Sequence, residues 1–150
     1  MLLTGSFARA IDDKLRLAIP KRFRDALGAS TEQLLYVTPG TDRSLAVYTE
    51  ETLGRLAERL AAASPAGAEV RAFSRLFYAQ AQPTELDSQG RIRIPAELAE
   101  LSGLGREAIL LGVQDHLEIW DRSRWEQYLA ERQVSYDQLA EAAFSPPLSK

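Results

Sequence analysis

Cysteine is absent from the 150 residues, which excludes a disulfide scaffold, thiolate metal sites and a cysteine nucleophile. Histidine occurs once, at His116, so a multi-histidine metal site or a histidine relay is not expected. No stretch approaches the roughly 18 consecutive apolar residues that a membrane-crossing helix needs. The first residues, Met1 to Arg9, lack the basic segment and apolar run of a secretory leader. An excess of positive charge is also missing, since 18 Lys and Arg face 21 Asp and Glu for a net charge of −3. Bulk charge therefore does not announce a nucleic-acid partner, and any such partner must be held by a local patch. These features predict a cytosolic chain with no membrane segment. What is present is ordinary globular composition, 45% apolar and 26% charged. A chain of this length can bury roughly 68–70% of its unfolded surface without a metal or disulfide staple.

The chain repeats itself. Asp12-Asp13-Lys14-Leu15-Arg16-Leu17-Ala18-Ile19-Pro20 is echoed 75 residues later by Asp87-Ser88-Gln89-Gly90-Arg91-Ile92-Arg93-Ile94-Pro95. Leu45-Ala46-Val47-Tyr48 parallels Leu117-Glu118-Ile119-Trp120 at an offset of 72. A duplication with a short internal deletion accounts for both offsets. In each copy a strand (Phe7 to Ile11, Thr84 to Leu86) enters a polar turn and leaves as an alternating exit strand. Pro20 and Pro95 are then expected at the first helical position. The Phe23/Leu27 and Leu98/Leu101 stripes follow, with Gly28 and Gly103 as stops.

A strand pair comes next in each copy, Gln33 to Val37 with Leu45 to Tyr48, and Ala108 to Val113 with His116 to Trp120. Thr49 is expected to cap a helix carrying Leu53, Leu56 and Leu60. Val70, Phe73, Leu76 and Phe77 predict another helix. Ser123 with Glu126, and Ser135 with Gln138, have capping-box spacing. Trp120, Trp125 and Tyr128 read as core. The tail from Ser145 to Lys150 has no period and is expected to be disordered. The division expected is a first repeat over 1–64, a connecting helix over 65–80, a second repeat over 81–132, and a C-terminal helix and tail over 133–150.

The paired Asp-x-x-x-Arg turns carry the chemistry. Aspartate can accept from backbone N–H groups two residues on, fixing an Asx turn, and can orient the guanidinium four residues later. A guanidinium held in a fixed fork suits guanine O6/N7 or phosphate oxygens. The plain alternative is a turn salt bridge worth about 0–1 kcal/mol. Local charge favours the first copy. From Met1 to Arg24, the cations Arg9, Lys14, Arg16, Lys21, Arg22 and Arg24 face only Asp12 and Asp13. From Glu85 to Arg106, Arg91, Arg93 and Arg106 face Glu85, Asp87, Glu97 and Glu100, so the two copies would not grip DNA equally.

An enzyme is not expected. Asp12 and Asp13, adjacent at a strand end, point opposite ways and do not converge as an acid–base pair; Asp87 with Glu85 is the other candidate carboxylate pair. His116 beside Asp115 reads as a surface turn residue. Neither a P-loop nor a dinucleotide fingerprint is present.

The chain resembles the MraZ family, bacterial transcriptional regulators with an AbrB-like DNA-binding fold. The resemblance lies in the paired turns, the Ile-Pro endings, Ala72-Phe73-Ser74-Arg75-Leu76-Phe77, and Ile119-Trp120-Asp121. It covers roughly residues 1 to 132. It implies an α+β fold, a duplicated double-split β-barrel with peripheral helices. It also implies subunits closed into a ring, and binding to short repeated G-rich double-stranded DNA upstream of the division and cell-wall gene cluster, with a nucleoid location.

Carried onto this sequence, Arg16 and Arg91 would face DNA. Asp12, Asp87 and Gly90 would hold the turns, and Lys14 would fill a basic motif position. Arg93, Lys21 and Arg22 complete the expected DNA-contacting set. Neither cofactor, metal nor small-molecule substrate is implied. The pattern departs at Leu15, where the second copy has Gly90, and at Gln89, where Lys is frequent. A left-handed Leu costs about 1–2 kcal/mol, so either the first turn is strained or it has another shape. A protruding Leu15 would also crowd a DNA backbone. The rival reading is a ring-forming assembly module whose DNA binding is weak or lost; ring closure would need two different patches per subunit.

Overall fold

The computed structural model describes residues 1–28, 33–63 and 66–146. Its elements are β1 (Ser6–Ala10), β2 (Arg16–Ala18), α1 (Lys21–Leu27), β3 (Leu34–Pro39), β4 (Leu45–Thr49), α2 (Glu50–Ala62) and α3 (Ala68–Gln80), followed by β5 (Gln82–Glu85), β6 (Arg91–Arg93), α4 (Ala96–Leu101), β7 (Glu107–Val113), β8 (His116–Asp121), α5 (Arg122–Gln133) and α6 (Tyr136–Phe144). The fold is α+β, as expected, and it is built from two copies of one strand–ribbon–helix–hairpin–helix unit. Six strands form one antiparallel sheet in the order β1-β7-β8-β4-β3-β5, and β2 pairs with β6 as a separate ribbon. The barrel expectation is corrected in one respect: the six-stranded sheet is not closed, because β1 and β5 are its two edges.

That strand order carries the twofold relation between the copies. Exchanging each strand for its counterpart (β1 with β5, β3 with β7, β4 with β8) reverses the order and leaves the sheet unchanged. The copies interlock as a result. β1 of the first copy pairs with β7 of the second, β5 of the second pairs with β3 of the first, and the ribbon takes one strand from each. Neither half can complete its sheet alone.

Strand alternation sorts the side chains into two layers. Leu35, Val37, Leu45, Val47, Ala108, Leu110, Leu117 and Ile119 face one core with Leu17 and Ile92 of the ribbon and Phe23, Leu27 and Leu98 of α1 and α4. The opposite face of the sheet carries α2 on β3 and β4, α3 on β3, and α5 on β7 and β8. Trp120 lies there, buried, with its ring 5.3 Å from Trp125 and 4.9 Å from Tyr128 of α5. Of the three aromatics read as core, Trp120 is buried while Trp125 and Tyr128 are only partly covered.

Several helix ends differ from expectation. Pro20 and Pro95 are N-caps rather than first helical residues; each is extended, and its carbonyl accepts from the helix that follows. Thr49 does cap α2, in a reciprocal box with Thr52. The α5 cap is Asp121, whose carboxylate accepts from Arg124 N at 3.4 Å, so Ser123 lies inside the helix. Ser135 caps α6 by position but makes no side-chain cap bond. Of the tail expected to be disordered, residues 147–150 lie outside the described residues.

His116 is half-buried, not a surface turn residue. Its ring stacks on Tyr48 with centroids 5.0 Å apart, Nδ1 is 2.8 Å from Asp115 Oδ1, and Nε2 is 3.6 Å from Glu118 Oε2. The nearby Glu118 carboxylate, helped by Asp115, raises its pKa above the usual imidazole value, against the opposing pull of burial. Sequence spacing could not reveal this, because Tyr48 reaches His116 only through the pairing of β4 with β8.

The β3–β4 connection is a tight turn in which Ser44 N donates to Thr41 O at 3.0 Å. Asp42 and Arg43, its central residues, both have positive φ, +56° and +63°. This is the type I′ pattern, which favours Asn-Gly. Aspartate tolerates the left-handed region, whereas an arginine there costs about 1–2 kcal/mol.

Candidate nucleic-acid interface

The two Asp-x-x-x-Arg turns superimpose bond for bond. In the first, Asp12 Oδ1 accepts from Lys14 N at 3.0 Å and Arg16 N at 2.8 Å, and Oδ2 accepts from Arg16 Nε at 2.6 Å. In the second, Asp87 Oδ1 accepts from Gln89 N and Arg91 N, both at 2.9 Å, and Oδ2 accepts from Arg91 Nε at 2.8 Å. Leu15 N donates to Asp12 O, and Gly90 N to Asp87 O, each at 3.0 Å. Both carboxyls are held below the usual carboxylate range. The leading cause is the backbone N–H of Arg16 or Arg91, reinforced by that arginine's side chain and opposed by desolvation. A depressed folded pKa contributes stability above the unfolded value near 3.8 and loses it as pH falls through the folded value, so both carboxyls are ionised at neutral pH.

Leu15 resolves the alternatives left open by the sequence. The first turn keeps the shape of the second, with Leu15 at φ +60° against Gly90 at +76°. The expected crowding is corrected: Leu15 does not protrude but is half-buried against the main core. Packing holds the strained backbone. Leu15→Gly should therefore exchange a relief of about 1–2 kcal/mol for the loss of a partly buried side chain of comparable worth. Its expected effect on urea-unfolding stability is within about 1 kcal/mol of zero; a loss above about 2 kcal/mol would show that burial outweighs strain.

The ribbon brings the two turns together. Leu17 opposes Ile92, Arg16 opposes Arg93, and Ala18 opposes Arg91. Cross-links tie each turn to the other copy, since Ile19 N donates to Gly90 O at 2.9 Å and Ile94 N to Leu15 O at 2.8 Å. Arg91 Nη1 lies 4.0 Å from Asp12 Oδ2, so the first carboxylate touches both arginines. Like charges directly opposite on a strand pair are normally unfavourable. Here Arg16 and Arg93 share one end of the ribbon, with Lys14 exposed at the turn tip. The arrangement offers guanidinium forks, pre-oriented by carboxylates, on a twofold platform.

Not every expected cation joins it. Lys21 pairs with Asp25 at 3.1 Å on the exposed side of α1, and Arg22 Nη2 donates to Thr4 Oγ1 at 2.8 Å. Neither bonds to the turns among the described residues. Arg24 does reach the platform, although the sequence marked it only as one charge among six. Its Nε donates to Ile19 O at 3.0 Å, and its guanidinium lies across Gly90, where an added Cβ would come within 2.8 Å of Arg24 Cζ. A side chain at position 90 would push the Arg24 guanidinium aside and strain the φ of +76°. Residue order carries no signal for this contact, because only the ribbon pairing brings Gly90 to Arg24.

Known proteins show the same double pattern. The family described as "MraZ protein, putative antitoxin-like" matches residues 2–76 and again residues 77–145. The chain belongs to the MraZ family. Relatives named "Transcriptional regulator MraZ" include that of Nocardia farcinica, 42% identical over 137 residues, covering 91% of this chain and 93% of the relative. Those of Alkaliphilus oremlandii and Moorella thermoacetica are each 40% identical, covering 93% of this chain and 94% and 95% of the relative. The MraZ family is one of regulators and not of enzymes. No helix among the described residues is long and apolar enough to cross a membrane.

Proposed function

We propose that this MraZ-family chain is a cytoplasmic, nucleoid-associated transcription regulator that binds double-stranded DNA through its paired turns. The observation that carries the reading is the repeated guanidinium fork, with Arg16 held by Asp12 and Arg91 by Asp87, on one ribbon. In this reading Arg16 and Arg91 contact base edges or phosphates, and Lys14 and Arg93 add phosphate contacts. Lys21 and Arg22 serve at the margin. Asp12, Asp87 and Gly90 hold the turns. The repeats, 1–64 and 81–132, act as one reading head, joined by 65–80, while 133–150 stand outside it. Exposed Phe73, Leu76, Leu139 and Phe144 on α3 and α6 support assembly with other copies, which we read as a closed ring. The target is short repeated elements upstream of the division and cell-wall gene cluster.

The test is fluorescence anisotropy with DNA from upstream of the protein's own gene and a scrambled control, across a salt series. The expected result is preference for the native DNA, with log affinity falling against log salt at a slope of about −4 per engaged subunit for four phosphate contacts. Absence of binding at low salt by a folded, assembled sample would select the assembly-module reading instead.

A further inference from the structure

The β3–β4 turn and α5 border a second polar site, an open cleft of about 380 Å³ lined by no residue of the two Asp-x-x-x-Arg turns. Arg43, Arg124 and Arg132 all line it. None of the three makes an ion pair among the described residues. Arg124 Nη2 reaches only Asp42 O, at 3.5 Å, and Arg124 Nε is buried with no acceptor among the described residues. A buried charged donor left unmatched is costly. Arg43 adds a second cost, since it sits at φ +63° where glycine would sit free of strain. Two unfavourable features converging on one cleft point to a ligand rather than to the fold.

The chemistry of the walls indicates which ligand. The carboxylates Asp42 and Glu131 also line the cleft, and Glu131 is occupied by Gln127 Nε2 at 3.2 Å. Three guanidiniums against two carboxylates leave positive charge free for an anion, and a guanidinium fork matches phosphate oxygens. Trp120 is buried behind Tyr128, and Arg132 Cζ lies 5.6 Å over the Tyr128 ring, so the exposed Arg132 guanidinium plane, backed by that ring, is the surface on which a base can stack. The volume lies in the range of small-molecule sites. We propose that this cleft binds a nucleoside phosphate, with Arg43 and Arg124 on the phosphates and the Arg132 plane against the base. The inference is independent of the DNA reading.

Isothermal titration of the full, assembled protein with ATP, and separately with inorganic pyrophosphate, tests it at matched ionic strength. ATP is expected to bind, and more tightly than pyrophosphate. Arg43→Gly should weaken ATP binding by at least about tenfold while leaving the melting temperature unchanged or higher, because glycine relieves the turn. Arg124→Gln should weaken ATP binding similarly. The proposal is overturned if ATP does not bind, if pyrophosphate binds as tightly, or if Arg43→Gly leaves ATP affinity intact. It is equally overturned if Arg43→Gly lowers the melting temperature, breaks the oligomer, or weakens DNA rather than ATP binding.

Discussion

Replacing Arg16 and Arg91 together with alanine is expected to remove selective DNA binding while leaving the fold and the oligomer intact. Each guanidinium is preassembled by a carboxylate, so little side-chain entropy remains to be lost on binding. One well-placed arginine fork contributes about 1–3 kcal/mol of discrimination, so losing both should weaken native DNA binding by at least about 30-fold. The salt slope should become shallower by about 2 per engaged subunit. The fold should survive because the side chains are 31% and 25% exposed, and the carboxylates left behind, each 36% exposed, face solvent. The two single changes should not add. Arg91 lies within 4.0 Å of Asp12 as well as beside Asp87, so a double-mutant cycle should show coupling between the turns. Anisotropy with native and scrambled DNA is the measurement, and wild-type affinity in the double variant would sink the assignment of both arginines. Lys21→Ala is the comparison of small effect, since that ammonium is engaged with Asp25 on an exposed helix face.

Leu17→Ala should act on stability instead. Leu17 is fully buried, pairs with fully buried Ile92, and joins the core beneath the ribbon. Deleting a side chain of this kind costs about 2–5 kcal/mol, a large share of the roughly 5–15 kcal/mol that holds a domain folded. Urea unfolding at fixed protein concentration should show a lower midpoint with an unchanged slope. DNA affinity per folded molecule should fall less than in the arginine variant, because Asp12 and Asp87 still hold their forks through local bonds. A loss below about 1 kcal/mol would mean that the ribbon is not anchored by this pair.

Much of this is local and therefore legible in residue order. An Asx turn needs only an aspartate and the next four residues, so both turns could be read directly, down to which arginine each carboxylate holds. The Thr49 cap and the helical stripe of Leu53, Leu56 and Leu60 are local for the same reason. Helix ends were less legible where two capping residues compete, as with Asp121 and Ser123 before α5. Burial was least legible where a stripe lacks a partner. Phe73, Leu76 and Phe77 share helical spacing, yet only Phe77 is buried. Periodicity shows that a face exists, not what covers it.

The sequence by itself determined the duplication, the strand and helix types, the two Asp–Arg turns and the exclusion of thiol chemistry, because each depends on residue identity or on spacings of a few residues. Tertiary structure alone decided that the copies exchange strands. The alternating patterns of β1 and β5 fit either copy's hairpin equally well, and only closing both halves around one core selects β1 with β7 and β5 with β3. It also decided that Leu15 could take a glycine's conformation, since the strain is offset by core contacts made across the fold. The contact of Arg24 with Gly90, and the convergence of Arg43, Arg124 and Arg132, likewise come from residues far apart in the chain. Side chains separated by tens of residues meet only where the backbone between them has folded, and no local pattern records that meeting.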